Sequence, residues 1–333
     1  MNRFKKTILL ACLGVLLSLP ASAAENEPEK TGFIKGVTFS GLVEVEGSYA
    51  DSDGDSSSDL SLATFELDLE ARVTDWLSAH AVLLYEEDGE DELIVDEAYI
   101  RMKKEDMPFF AEAGRMTQAF GNFATGMISD PLTLELGETK HHASLRAGYE
   151  ADPLTASLAL LKGDVQKAGK DDINTFVAAI GAAGEVNESF RYGLGASYIS
   201  NIADTDGLQD AYEPYGHETS EFVGGYSVYG IAGIGSFEFR AEYLTAADTF
   251  SDGDLAGMQP QACNFEIGYD FPLPLHLALR YAGADDFVVE EQYGATFAYD
   301  LAEKATLALE YLHMKNEDST KSDMVTLQLA MEF

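Results

Sequence analysis

The chain has 333 residues and a formal net charge of −37 at pH 7, from 58 Asp and Glu against 21 Lys and Arg. Such an excess of acid repels a phosphate backbone, so no nucleic-acid partner is expected. Intrinsic disorder is also excluded, because 46% of the residues are hydrophobic and 35 of them are Tyr or Phe, 16 and 19 respectively. The longest apolar run, residues 8–19, is too short to span a membrane as a helix.

The N-terminus has the pattern of a secretory signal. Basic residues precede the apolar run, and the small residues 21–23 follow it, which predicts a signal peptide over 1–23 and a short periplasmic segment over 24–32. A lipoprotein site at Cys12 is the alternative, but it leaves almost no apolar segment before the cut. We therefore expect a protein exported by a Gram-negative bacterium. After cleavage Cys263 is alone, so no internal disulfide is expected.

From residue 33 onward the dominant pattern has a period of two. Residues 65–73 alternate strictly, with Phe65 and Leu67 on one face and Glu66 and Asp68 on the other. This alternation predicts about sixteen strands, within about two either way. The predicted strands are 37–49, 65–73, 77–85, 94–103, 109–118, 143–150, 154–162, 173–186, 190–202, 220–231, 236–246, 261–271, 275–283, 287–300, 305–315 and 324–333.

Short and long connections alternate between these strands, as in an outer-membrane barrel with periplasmic turns and outer loops. The last predicted strand ends on Phe333, with apolar residues on one face, which resembles the signal read by the barrel assembly machinery. We therefore predict an all-β, antiparallel, up-and-down transmembrane barrel over 33–333, with no plug domain. The long acidic connections are predicted at 51–59, 86–92, 164–172, 203–217, 249–260 and 316–322.

No enzyme motif stands out in the sequence. Gly-x-Ser-x-Gly, phosphate-cradling loops and HExxH are absent, so we expect no catalytic residues and no cofactor. The adjacent pair His141 and His142 lacks a third ligand at a suitable spacing, so no metal site is expected either. A barrel hydrolase would need Ser, His and an acid on neighbouring strands, and the strand histidines His80, His276 and His313 have no recognisable nucleophile motif beside them.

The arginines are more informative, because those after the signal peptide all fall within predicted strands. An arginine on the lipid face costs about 2–4 kcal/mol at mid-membrane, so the lumen is the expected side. Two interpretations stay open: the arginines pair with lumen carboxylates, or several converge on a charged solute at a constriction. The predicted channel-lining residues are Arg72, Arg101, Arg115, Arg146, Arg191, Arg240 and Arg280, with the carboxylates Glu66, Asp68, Glu70 and Glu97.

Residues 119–142 do not have a strand pattern. The segment is long and rich in turn residues, and it contains more leucine than the other outer connections. We predict that it folds into the lumen as a constriction loop, and the alternative is an outer loop packed over the rim. The predicted constriction residues are Phe120, Gly121, Asn122, Phe123, Asp130, Pro131, Glu135 and Glu138. In this arrangement Arg72, Arg101 and Arg146 would face Asp130, Glu135 and Glu138 across the pore.

Gly114-Arg115, the run 120–123 and the run 127–139 together resemble the LbtU-type siderophore porin family. The resemblance implies a 16-stranded outer-membrane porin associated with uptake of iron–siderophore complexes. Transport should be passive or facilitated diffusion of small hydrophilic solutes, among them ferric siderophores. The expected partners are outer-membrane lipid, lipopolysaccharide and the assembly machinery, and both a homotrimer and a monomer stay open. The alternatives are a general or ion-selective porin without a siderophore role and, less favoured, a barrel enzyme or adhesin.

Overall fold

A computed structural model of the chain describes residues 35–87, 92–140, 143–187 and 189–333. The predicted signal peptide, the segment 24–32 and the pair His141-His142 lie outside these residues. The elements are β1 Gly36–Ser52, β2 Asp55–Thr74, β3 Leu77–Tyr85, β4 Ile94–Lys103, β5 Phe109–Arg115, α1 Leu132–Gly137, β6 Ala143–Ala151, β7 Leu154–Leu161, β8 Gln166–Lys167, β9 Thr175–Asn187, β10 Phe190–Ile199, β11 Glu218–Thr219, β12 Gly225–Ile234, β13 Phe237–Ala246, β14 Gln261–Asp270, β15 Leu275–Asp285, β16 Val289–Ala302, β17 Ala305–Asn316 and β18 Lys321–Glu332.

Sixteen of these strands form one closed antiparallel barrel, which confirms the predicted fold class. The wall follows chain order, and β1 pairs with β18 to close it, with Leu42 opposite Glu332. Gly41 and Phe333 exchange both backbone hydrogen bonds at 3.0 Å. A Cβ at Gly41 would lie 2.5 Å from the Phe333 ring, so glycine makes room for the terminal aromatic. Closure pairs the edge strands, which an open sheet in lipid could not do.

The outward face of the barrel is apolar. On β18, Val325, Leu327 and Leu329 are each between 42 and 49% exposed, while their neighbours Thr326 and Gln328 face inward and are buried. Aromatic residues mark both ends of the exposed face, as the interfacial girdles of membrane barrels do. They include Tyr49, Tyr226, Tyr243, Tyr281, Tyr293 and Tyr311 at one end and Phe109, Phe237, Phe239 and Tyr299 at the other.

Long connections cluster at one end of the barrel, which we call the outer end. Their described residues are 86–87, 92–93, 116–140, 162–174, 200–224 and 247–260, and the turns at the opposite end are short. The predicted long connection 51–59 is wrong, because β1 and β2 continue to a two-residue turn at Asp53 and Gly54. Both turn residues have positive φ, 50° and 94°, the geometry that joins two antiparallel strands tightly. The acidic and serine side chains are tolerated there because this part of the hairpin meets water.

Two of the outer connections, 162–174 and 200–224, are ordered against each other. The pairs Gln166–Lys167 and Glu218–Thr219 form a small parallel ladder, β8 with β11. Two 3-10 turns, Ile202–Asp204 and Gln209–Tyr215, lie between β8 and β11 in sequence. Tyr212 of the second turn is fully buried. Within the described ranges, no helix is long and apolar enough to cross a membrane.

Candidate functional site

Residues 116–140, which form the described part of the connection between β5 and β6, lie inside the barrel. The outward residues of β13, β14 and β17, such as Tyr243, Phe265 and Leu309, are exposed, so the alternate residues of these strands face the lumen. Those inward positions hold the glutamates that bind this connection. We call residues 116–140 the inner segment. Its middle part, residues 121–130, contacts the wall from β10 to β17.

Glu242 on β13 holds the first turn of the inner segment. Its carboxylate accepts the backbone N–H groups of Asn122 at 2.8 Å and Phe123 at 2.9 Å. The Thr133 hydroxyl adds a third hydrogen bond at 3.2 Å. Phe123 has φ 59°, a left-handed conformation that is unfavourable for a bulky residue. The bond to Glu242 and the burial of the Phe123 ring hold this conformation in place.

Glu266 on β14 holds the next turn. It accepts the Gly126 N–H at 2.9 Å and the Thr125 hydroxyl at 2.8 Å. It also pairs with Arg280 of β15 at 2.9 Å, and both side chains are fully buried. Arg280 in turn donates to the Asp130 carbonyl at 2.9 Å and the Ser129 hydroxyl at 3.0 Å. One buried ion pair thus binds the segment through both of its partners.

Glu310 on β17 completes the set. It accepts the N–H groups of Ile128 at 2.6 Å and Ser129 at 3.1 Å, and the Thr296 hydroxyl at 2.6 Å. Sequence reasoning did not single out Glu242, Glu266 or Glu310. The available signal was a glutamate at the inward position of a strand whose two outward neighbours are apolar or aromatic. We call these three residues the anchor glutamates.

Apolar packing holds the outer part of the inner segment. Leu132, Leu134 and Leu136 of α1 are at most 3% exposed and share a core with Phe120 and Leu244. This explains the unusual leucine content of the segment. The lumen therefore has an apolar core towards its outer end and polar anchors below it.

Three of the predicted arginines form an alternating chain of charge along the wall. Arg191 and Arg240 both pair with Glu238. Arg240 also pairs with Glu266 at 3.3 Å, and Glu266 in turn pairs with Arg280. We call these five residues the first ladder. Arg191, Arg240 and His276 line a cavity of about 230 Å³ next to Gly126 of the inner segment. His276 contacts Asp270 at 2.7 Å and Asp300 at 3.0 Å.

A second ladder lies on β4 to β6. Lys103 and Arg101 both pair with Glu150, at 2.8 and 2.6 Å, and Arg101 also pairs with the fully buried Glu112. Arg146 binds the other oxygen of Glu112 at 2.6 Å. Arg101, Arg146 and Glu150 thus follow the interpretation in which arginines pair with wall carboxylates.

The remaining predicted lining residues have less uniform surroundings. Arg72 lies 3.7 Å from Glu70, and Asp68 accepts the Ser40 hydroxyl at 3.3 Å. Glu97 accepts the Thr117 N–H at 2.7 Å, so it binds the start of the inner segment. Arg115 ends β5 directly after Gly114, whose φ of 143° interrupts the strand, so strand parity does not assign a side to Arg115. Glu66 lies on the inward face of β2, opposite Leu42.

The predicted opposition of Arg72, Arg101 and Arg146 to the acids of the inner segment across the pore stays a prediction. Asp130 is buried, and Arg280 is the arginine that reaches its backbone. Glu135 lies in the first turn of α1, which Pro131 precedes. Phe120 is buried, and the Gly121 N–H donates to Ser197 at 3.0 Å. Whether the eight predicted residues restrict a solute stays a prediction.

Acidic groups at the outer end of the inner segment surround a single lysine. Lys140 pairs with Glu138 at 3.3 Å and with Asp96 at 3.7 Å, and its backbone N–H donates to Asp206 at 3.3 Å. Burial raises the pKa of Glu138 to about 7 and that of Asp206 to about 8. It also raises the pKa of the nearby Glu86 to about 7. The charge of Lys140 opposes all three shifts.

These shifts predict a pH-dependent contact between the inner segment and the 200–224 connection. A carboxyl whose pKa is raised in the folded state stabilises the fold at low pH and loses that contribution as the pH rises through the raised value. The Asp206 N–H donates to the Glu138 carbonyl at 2.8 Å. We expect its hydrogen exchange, corrected for the intrinsic rate, to be slower at pH 5 than at pH 8.5. The double variant Glu138→Gln with Asp206→Asn should abolish this difference. An unchanged pH dependence in that variant would contradict the assignment.

The chain is similar in sequence to bacterial proteins that share the name UPF0422 protein. It is 25% identical over 300 residues to a UPF0422 protein of Coxiella burnetii, covering 84% of this chain and 64% of that protein. It is 22% identical over 299 residues to a UPF0422 protein of Legionella pneumophila, covering 77% and 54%. The chain thus spans between about half and two thirds of the length of these relatives. No protein-family model matches it.

The most informative solved structures are outer-membrane porins. The outer-membrane channel DcaP of Acinetobacter baumannii superposes with a TM-score of 0.64, at 16% identity, over 89% of this chain and 97% of that one. The anion-selective porin from Comamonas acidovorans has a TM-score of 0.62, at 13% identity, over 90% and 99%. These similarities establish a porin fold, and this fold points to a bacterial outer membrane.

Proposed function

We propose that the protein is an outer-membrane porin, a passive channel for small hydrophilic solutes. The observation that carries this is the inner segment, which is fixed by the anchor glutamates within a closed barrel whose outer face is apolar. Sixteen-stranded barrels are wide enough to leave an aqueous passage. A polar segment bound inside such a barrel narrows the passage and sets a size limit. The porin neighbours support a channel over an enzyme or an adhesin.

The more specific proposal is that the transported solutes are ferric siderophores. It rests on the resemblance of Gly114-Arg115 and the runs 120–123 and 127–139 to siderophore porins. The competing proposal is a general or ion-selective porin without that role. A signal peptide, assembly by the barrel machinery and contact with lipopolysaccharide belong to both proposals.

Swelling of proteoliposomes tests the proposal. Vesicles containing the refolded protein should swell in isotonic small sugars, at rates that fall with sugar size, and empty vesicles should not. No swelling with any solute would contradict the porin proposal. Uptake of a ferric siderophore into the same vesicles, faster than that of a sugar of equal size, would favour the siderophore role. Equal rates would favour a general porin.

A further inference from the structure

Five carboxylates follow the lumen face of β1 and β2 at successive levels. In the pairing of the two strands, Glu66 lies opposite Leu42, Asp68 opposite Ser40 and Glu70 opposite Thr38, while Glu44 and Glu46 continue the series on β1. Because each level is two residues from the next, the series extends about 27 Å along the strands. That is comparable with the apolar band of a membrane barrel, about 25 Å. We call Glu44, Glu46, Glu66, Asp68 and Glu70 the acidic track.

Most of the acidic track lacks a cationic partner. Glu46 accepts the Gln328 amide at 2.8 Å and Asp68 accepts a hydroxyl, whereas Glu70 has Arg72 at 3.7 Å. Within residues 35–87, 92–140, 143–187 and 189–333, no Lys or Arg nitrogen lies within 4.0 Å of the Glu44, Glu66 or Asp68 carboxylate.

The basic residues of the lumen are, in contrast, matched by acids. Each arginine of the two ladders lies in an ion pair with Glu112, Glu150, Glu238 or Glu266. Each ladder has one more base than acid, but Glu97 and two of the anchor glutamates face the same lumen and more than offset that difference. The acidic track therefore adds negative charge to the lumen that the arginines of the two ladders do not neutralise.

A second feature indicates which cation suits this part of the lumen. The inner segment places the ammonium group of Lys140 between Asp96 and Glu138, where it is almost fully buried. Asp96 lies on β4, and only β3 separates that strand from β2, which carries Glu66. The chain itself thus seats an alkylammonium group between the inner segment and the acidic wall.

We propose that the acidic track makes the pore selective for small cationic solutes, with primary ammonium compounds as the substrate class. This inference rests on the proposed porin function. Carboxylates along a narrow passage replace part of the hydration of a cation and repel anions. Repetition of the carboxylates at even spacing gives a cation several equivalent positions, so binding at each can be weak enough to allow release. A linear polyamine could engage two or more levels at once.

The test is the reversal potential in a tenfold KCl gradient at pH 8, well above the ordinary pKa values of Asp and Glu side chains. The parent channel should favour K⁺ over Cl⁻, and the triple variant Glu44→Gln, Glu66→Gln, Asp68→Asn should lower that permeability ratio about threefold or more. The matched control is Asp210→Asn, Glu213→Gln, Glu221→Gln, which removes the same three charges from exposed positions of an outer connection. It should keep the parent ratio. Spermidine should block the parent current and not that of the triple variant.

The possible outcomes distinguish a failure of the cation-selectivity proposal from a failure of the porin proposal. Absence of channels from the refolded parent would contradict the porin proposal. Channels without cation preference, or an equal change of the permeability ratio in both triple variants, would contradict the proposed role of the acidic track. Neither result would contradict the porin proposal. If the triple variant does not fold, as judged by heat-dependent mobility in gels, the single variant Glu66→Gln replaces it. Its carboxylate accepts no hydrogen bond from the described residues, so this change alters charge alone, and an unchanged ratio would overturn the proposal.

Discussion

Replacing residues 120–139 with a short Gly-Ser linker should raise the single-channel conductance several-fold. The inner segment contacts the wall from β10 to β17, so its removal returns a large part of the lumen to water. Arg115 and Ala143 are paired across β5 and β6, so a short linker can join these strands. The measurement is the step size in planar bilayers at one fixed salt concentration.

The control for this deletion places the same linker at the exposed turn 317–320, between β17 and β18. It should conduct like the parent protein. A deletion variant that folds, inserts and gives steps of parental size would show that the inner segment does not obstruct the pore. The predicted constriction residues would then be wrong.

Glu310→Ala should release part of the inner segment without removing it. The change deprives the N–H groups of Ile128 and Ser129 of their shared acceptor and also frees the Thr296 hydroxyl. A hydrogen bond to a charged group contributes about 1.5–3 kcal/mol, so the loss is on the order of 3 kcal/mol. A shift of that size raises the population of a displaced segment by about a hundredfold. We expect current traces with frequent brief steps towards the conductance of the deletion variant.

The matched control is Glu150→Ala, which removes a lumen glutamate that pairs with Arg101 and Lys103 on the wall. Its traces should be as quiet as those of the parent. Equal noise in the two variants would mean that loss of any lumen carboxylate disturbs the channel. The anchoring role of Glu310 would then not hold.

The barrel could be predicted because the alternation that specifies its strands is a local property of the sequence. Alternation in β2 and β18 assigns each residue to lipid or lumen without reference to any other strand. The hairpin at Asp53 and Gly54 could not be predicted in this way, because a run of polar residues is also typical of a loop. The backbone ladder continues there regardless, since the side chains meet water on both faces.

The inner segment could be located by its departure from alternation, but its contacts could not. Glu242, Glu266 and Glu310 are more than a hundred residues away in sequence from the backbone they bind. Only closure of the barrel and the register of its strands bring them together. The partners of the arginines likewise depend on the register between strands, so the sequence alone does not identify Glu112, Glu238 and Glu266. Alternation within a strand does predict that most of the arginines face the lumen.

The most direct test of the porin proposal is the conductance of the unmodified protein in a planar lipid bilayer. A porin narrowed by an anchored inner segment should give discrete, long-lived current steps, with amplitudes that scale with salt concentration. Refolded protein that shows the heat-dependent gel mobility of a folded barrel but never gives steps would contradict the account.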